Sequence, residues 1–289
     1  MTYQETALSF RCQNTTLYGV LSLPLQPAER GVLFIVGGPQ YRAGSHRQFT
    51  LLARQFAAQG VAVMRFDYRG MGDSDGEQRD FNGIDDDIRA AITCFFEQAT
   101  TLREVVLWGL CDGASAALFY ANQDHRVCGL VLVNPWVRTD ESIAKAYLRH
   151  YYLQRLFNPE LWRKLGTGRF NPADSALSFM RQIRQLTPFR REPGISLNAM
   201  KHPDSTLSLP EKMRQGFSLF QGRILFILCS DDLTAQEFSD LAGGSGAWRK
   251  LMSRRQVTCH DLALANHTFS QRHWREQIGR WTLDWLKAW

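Results

Sequence analysis

The 289-residue chain has no stretch of about 18 uncharged apolar residues, so no transmembrane helix is expected. It opens MTYQETALSFRCQ, with Glu5 early and no apolar run of the secretory-signal kind, so export is not expected either. Cysteine is sparse: six residues, at 12, 94, 111, 128, 229 and 259, with no CxxC pair and no Cys/His cluster. Such a pattern argues against a structural zinc site or a disulfide framework and for a reducing, cytoplasmic compartment. There is no internal repeat and no low-complexity segment. Hydrophobic residues at 44% and charged residues at 21% exclude disorder, collagen and coiled-coil arrays. A chain of this size can bury a core without disulfides or metals, as one large domain or two small ones.

Apolar runs of strand length recur, with helical spacing between them. Leu17–Pro24, Val32–Val36, Val61–Tyr68, Val105–Leu110 and Val127–Asn134 read as strands, with helices expected over Gln48–Gln59, Ile84–Gln98 and Asp112–Asn122. Asp85, Asp86 and Asp87 suit the positive end of the second helix and are taken as structural. After Pro135 the alternation stops, and it resumes with Ile224–Cys229, Gln236–Ala247, Val257–Leu262 and a last helix around Trp274–Ala288. Continuous apolar strands alternating with helices predict an α/β fold, a doubly wound and mostly parallel sheet. Residues 1–136 and 223–289 are expected to form that core, and 137–222 a helical cap inserted into it.

The chemistry centres on Gly109-Leu110-Cys111-Asp112-Gly113, which follows one strand directly and precedes a helix. Gly-x-nucleophile-x-Gly in that setting describes a nucleophile elbow, a turn so sharp that side chains two residues either side would collide. Cys111 would stand above the sheet at a helix N-terminus, whose N–H groups favour a thiolate. The plainer reading is a buried cysteine in a Gly-rich turn. A rival register around Ser115 would set the nucleophile one turn inside the helix, away from the strand end.

A nucleophile needs a base, and the base an orienting acid. His267 falls in the loop between the last strand and the last helix. His260 lies within the strand pattern and more readily packs or faces solvent. Asp232 follows the strand Ile224–Cys229, with Asp231 beside it as the alternative acid and Glu237 a distant one. The oxyanion donors are expected to be the N–H of Asp112 and one from the loop after Val36; Pro39 has none, which leaves Gln40 or Gly38. Asp67 and Asp73 read as shaping a neighbouring loop. Arg42 and His46 are candidates to bind an anionic substrate group, although solvating the following helix is the plainer role. Tyr151, in an aromatic stretch of the cap, is a candidate to line an acyl pocket, with packing as its alternative.

The Gly-Gly loop at 37–38, the segment Asp67-Tyr68-Arg69-Gly70-Met71-Gly72-Asp73-Ser74, the elbow at 109–113, Asp232 and Asn266-His267-Thr268-Phe269-Ser270 together resemble the α/β-hydrolase superfamily. More narrowly, VGGPQYRAGSHRQF, FDYRGMGDS, WGLCDGASAA and NPWVRT look like the exosortase A system-associated hydrolases, type 1 group. The resemblance implies a cytoplasmic hydrolase. Cysteine at the elbow departs from the commoner serine, and leaves open whether water or another nucleophile resolves the acyl-enzyme.

The expected activity is therefore hydrolysis of an ester or thioester through Cys111, His267 and Asp232, with no cofactor or metal. Acyl transfer to a sugar or alcohol hydroxyl uses the same chemistry, and a non-catalytic member that binds a ligand or partner is the alternative from a different class. The substrate is expected to be a small molecule or a carrier-bound acyl group, with no nucleic-acid partner; nothing in the sequence speaks to oligomeric state. Residues 138–223 hold 15 Lys+Arg against 7 Asp+Glu, so the chain's net charge of +6 arises wholly there. A basic cap could steer an anionic substrate; a solvated basic face is the equal alternative.

Overall fold

The computed structural model describes residues 2–38, 40–138 and 207–289. Tyr151, and most of the segment read as a cap, lie outside them. Among the described residues eight strands form one sheet, in the order β1-β2-β4-β3-β5-β6-β7-β8. They are β1 (Tyr3–Cys12), β2 (Thr15–Pro24), β3 (Arg30–Ile35), β4 (Ala62–Asp67), β5 (Glu104–Leu110), β6 (Val127–Val133), β7 (Arg223–Cys229) and β8 (Val257–Leu262). From β4 to β8 all neighbours run parallel, whereas β2 joins both β1 and β4 antiparallel. β1 is absent from the sequence reading because it is an edge strand with most side chains in solvent, so it lacks the apolar run that marks the central strands.

Helices cover both faces. α1 (Gln48–Ala58) lies on one face with the C-terminal α7 (Arg272–Lys287), where Phe49, Phe56, Ile278 and Leu283 share a core with Val32, Phe34 and Trp108. On the other are α2 (Asp85–Gln98), α3 (Asp112–Tyr120), α4 (Leu209–Leu219), α5 (Leu233–Gly244) and α6 (Gly246–Met252). There Ile88, Phe95, Leu118, Phe217, Phe238 and Trp248 pack with Leu33, Leu107 and Phe226. Each fully buried side chain of this size contributes about 1.5–3 kcal/mol. The helix expected over Gln236–Ala247 starts earlier, at Leu233, because the Asp232 side chain caps it. α4 falls inside the 137–222 segment, yet its Met213 and Phe217 are buried in this core and its Gly216 lies against the Leu118 carbonyl. That helix packs as part of the sheet body.

The acidic run at the start of α2 is structural for a more specific reason than the helix dipole. Asp87 is fully buried and accepts from the Arg69 backbone N–H at 2.8 Å, its Nε at 2.9 Å and its Nη2 at 2.7 Å. Asp86 stays half exposed and binds Gln13, 2.8 Å away. Asp87→Ala would strand the Arg69 guanidinium, and is expected to cost about 3–5 kcal/mol in chemical denaturation. Asp85→Ala, which removes only an exposed contact to Gln123, should change stability by no more than about 0.5 kcal/mol.

Candidate active site

Cys111, Asp232 and His267 each follow the C-terminal end of a parallel strand, the side on which open α/β sheets leave a crevice. Cys111 links β5 to α3 with φ 61° and ψ −125°, a conformation disfavoured for every residue but glycine. Holding it costs about 1–3 kcal/mol, which the surroundings must supply. The Cys111 N–H donates to Val133 O at 2.9 Å, and its carbonyl accepts from the N–H groups of Ala114 and Trp136. The turn is also packed backbone to backbone. A β-carbon on Gly109 would strike Gly113, and one on Gly113 would strike the Ile35 carbonyl. Ser115 is fully buried one turn along α3, with its hydroxyl donated to Trp136 O at 2.7 Å. It has no access to a substrate.

The thiol is not the ready thiolate that a helix N-terminus suggests. Burial, joined by the charges of Asp112 and Asp232, pushes Cys111 up to about 12, against the opposing pull of the Asp112 backbone N–H and Arg138. At neutral pH the sulfur keeps its proton.

His267 Nδ1 lies 2.8 Å from Asp232 Oδ2. Asp232 is buried, and its other oxygen accepts from the Thr234 N–H at 3.1 Å as the N-cap of α5. Asp231 is exposed and far less suited to the role, while Glu237 is engaged by Arg138 Nε at 2.6 Å. The histidine loop is closed on itself: Asn266 Nδ2 donates to Ser270 Oγ at 2.7 Å and Asn266 Oδ1 accepts from Ser270 N at 3.2 Å. Ser230 Oγ, at the end of β7, accepts from Leu264 N at 2.8 Å and ties this loop to the one bearing Asp232. His260 stacks on Trp281 with ring centroids 4.6 Å apart, away from this group.

The Gly37–Gly38 loop reaches the elbow through Gly38, whose N–H donates to Asp112 Oδ2 at 2.7 Å. Gly113 N donates to Asp112 Oδ1 at 3.0 Å. A β-carbon on Gly37 would collide with that carboxylate. Burial raises the Asp112 carboxyl above its ordinary range, and the three N–H groups around it and His267 act in the opposite sense. Gln40 has its side-chain Oε1 turned toward Ser45 N, 3.4 Å away. Of the two donors considered, Gly38 is the one directed at the elbow.

Arg42 is committed to its own loop. Its guanidinium pairs with Asp67 and, at 2.6 Å, with Asp73; its backbone N–H donates to Asp67 Oδ1 at 2.6 Å, and its carbonyl accepts from Arg65 Nη1 at 3.2 Å. Those bonds from β4 and the turn after it pin the segment that follows Gly38. His46 is exposed in a short turn at φ 53°. One residue of the site escaped the sequence reading. Arg138 sits over the Trp136 ring, 4.8 Å from its centroid, and acts electrostatically on Cys111. A cationic residue a few positions past a strand end, in NPWVRT, was the available signal. No group of three or more His, Cys, Asp or Glu able to hold a metal occurs among the described residues.

Residues 27–187 match the family model described as serine aminopeptidase, S33, a hydrolase family. A polyketide transferase, GrgF, from a Penicillium species is 32% identical over 130 residues. That match covers 43% of this chain and only 44% of the transferase, so the shared stretch spans less than half of the relative. Among solved structures, an esterase of Pyrococcus furiosus, Pf2001, superposes with a TM-score of 0.65 at 13% identity, covering 99% of this chain and 93% of that one. The α/β hydrolase GrgF from Penicillium superposes with a TM-score of 0.63 at 18% identity, covering 99% and 98%. At these identities the structural likeness establishes the α/β-hydrolase fold.

The cap role of Asp232 can be read without a substrate. Asp232→Ala is expected to lower stability by about 0.5–2 kcal/mol through loss of the α5 N-cap. Asp231→Ala should stay within about 0.5 kcal/mol by the same denaturation measurement.

Proposed function

The chain belongs to the serine aminopeptidase S33 family of α/β hydrolases, and within it we propose a cysteine-dependent hydrolase of carboxylic esters or thioesters. The observation that carries the reading is the 2.8 Å contact between His267 Nδ1 and the buried Asp232 carboxylate, at the strand ends beside the strained Cys111 turn. Cys111 is the nucleophile in place of the serine in the family's description. The nearby serine, Ser115, is buried and hydrogen-bonded.

Asp232 accepts a hydrogen bond from the Nδ1–H of His267 and so keeps Nε2 as the basic nitrogen. Because the thiol is held protonated, attack and proton removal proceed together. Nε2 takes the proton from Sγ as the sulfur bonds to the carbonyl carbon, and the carbonyl π electrons move onto oxygen. The N–H groups of Asp112 and Gly38 hold that oxyanion, each worth about 3–4 kcal/mol in comparable sites. The oxyanion collapses, the bond to the alcohol or thiol breaks, and His267 returns the proton to the departing group. Water, deprotonated by His267, then adds to the acyl-cysteine; the second oxyanion collapses, the C–S bond breaks, and His267 returns the proton to Sγ as the acid leaves.

Sequence segments similar to the exosortase A system-associated hydrolases support placing the enzyme in that narrower group. The six free thiols support a reducing, cytoplasmic setting. A carrier-bound or anionic acyl group remains the proposed substrate class, supported by the basic stretch 138–223. The partial likeness to a polyketide transferase favours a second outcome for the same intermediate, in which a sugar or alcohol hydroxyl replaces water.

Cys111→Ala and His267→Ala are each expected to lower turnover of activated esters and thioesters by roughly 10⁴-fold while leaving the fold intact. Activity retained in Cys111→Ala and lost in Ser115→Ala would overturn the assignment. Intact-mass spectra of the wild type with a mixed ester and thioester panel should show one acyl group, absent from Cys111→Ala. Product analysis with added acceptor alcohols separates the two fates: free acid alone marks a hydrolase, and a new ester marks a transferase.

A further inference from the structure

The carboxylate of Asp112 occupies a place that catalysis requires to be vacant. Its Oδ2 accepts from the Gly38 N–H at 2.7 Å, and its Oδ1 from Gly113 N at 3.0 Å. Gly38 N–H is the loop donor directed at the elbow, and the other donor is the backbone N–H of Asp112 itself. An anionic oxygen of the protein therefore already rests on an amide proposed to receive the oxyanion. The bonds are of the strong, charge-assisted kind. The absence of a side chain at Gly37 makes room for the group. Asp112 is only partly buried, so rotation about its Cα–Cβ bond can carry the carboxylate outward.

We propose that Asp112 is a built-in occupant of the oxyanion site, a carboxylate resting on the Gly38 N–H beside Cys111 until a substrate carbonyl displaces it. The proposal rests on Cys111 as the nucleophile. Besides the peptide N–H of Asp112, three charged groups act on the sulfur: Asp112 and Asp232 oppose its ionisation and Arg138 favours it. On the carboxyl side, the N–H groups of Gly38, Gly113 and Asp112 and the imidazole of His267 face Asp112, and its charge opposes ionisation of the buried Tyr68. When a carbonyl oxygen takes the Gly38 N–H, the carboxylate must turn away. One of the two negative charges beside the sulfur leaves with it. The substrate thus opens the oxyanion site and eases removal of the thiol proton in a single event. Reagents that bring no carbonyl meet a protonated, poorly nucleophilic sulfur. Asp112 is in this sense a positioning residue, acting through Gly38 and Cys111.

Methyl methanethiosulfonate, which reacts with thiolates and carries no carbonyl, tests this directly. The rate of Cys111 modification is followed against pH by peptide mass spectrometry in the wild type, Asp112→Asn and Asp112→Ala, with the exposed Cys259 as an internal reference. Both variants are expected to move the Cys111 midpoint to lower pH and to speed modification at pH 8 by about tenfold or more, a factor of ten for each unit of midpoint shift. The midpoint of Cys259 should not move. An unchanged or higher Cys111 midpoint overturns the proposal. Asparagine preserves the shape and keeps one acceptor oxygen for Gly38 or Gly113, so it decides the matter if the alanine variant fails to fold. In a folded Asp112→Ala enzyme, KM for an activated thioester should fall, since nothing competes for Gly38; a raised KM counts against the proposal. The modification assay uses no substrate. Turnover persisting in Cys111→Ala would remove the catalytic reading while leaving the effect of Asp112 on the thiol measurable.

Discussion

At the centre of the molecule, the end of β3 and the turn from β5 into α3 approach so closely that no β-carbon fits between them. The Ile35 carbonyl lies against Gly113, Gly37 against the Asp112 carboxylate, and Gly109 against the far side of the same turn. The parallel register that pairs Ile35 with Gly109 aligns these segments. From this contact follow the position of Cys111 at the strand end, the direction of the Gly38 N–H and the start of α3. The other partners take their places from neighbouring strand ends: Asp232 after β7, the histidine loop after β8, and Trp136 and Arg138 after β6. A larger residue at 37, 109 or 113 would therefore disturb the acceptor site and the nucleophile together.

The electrostatics of the site oppose its own nucleophile. A sulfur at the head of a helix would ordinarily gain from the N–H groups there, but burial and two nearby carboxylates weigh more. An anionic thiolate is thus not stored in the resting site, and the histidine must take the proton as the reaction proceeds. A protonated thiol is also a poor target for oxidants, whose attack follows thiolate character. Farther out, Asp67 joins the strand-end turn at Asp73 to the loop at Arg42, so a residue remote from the sulfur helps to fix the segment beyond Gly38.

The central strands were legible in the sequence because both faces are buried, which leaves uninterrupted apolar runs. Cys111 and Asp232 were legible as candidates because each stands just after such a run, whereas His267 follows the more exposed β8 and was placed by its loop between the last strand and the last helix. What stayed open depended on direction rather than position. Asp231 and Asp232 are adjacent, and only the folded turn puts one in solvent and the other on the histidine. That the Gly38 N–H points at the Asp112 carboxylate is a matter of loop conformation, which composition does not encode. Arg42 looked free because its partners stand 25 and 31 residues away in sequence. The thiol was misjudged for a similar reason, since a helix start is visible in sequence and the depth of burial is not.

Position 111 also carries a standing conflict between what folding and what chemistry prefer. Its backbone angles suit glycine, and any side chain there is held at a cost of about 1–3 kcal/mol. Under selection for stability alone, mutations to glycine at this codon would be neutral or favoured. A side chain kept there along a lineage would then record continued use of the sulfur. The same strain gives a way to recognise descendants that have abandoned catalysis: they would keep the flanking glycines, which the fold requires, and lose the cysteine between them.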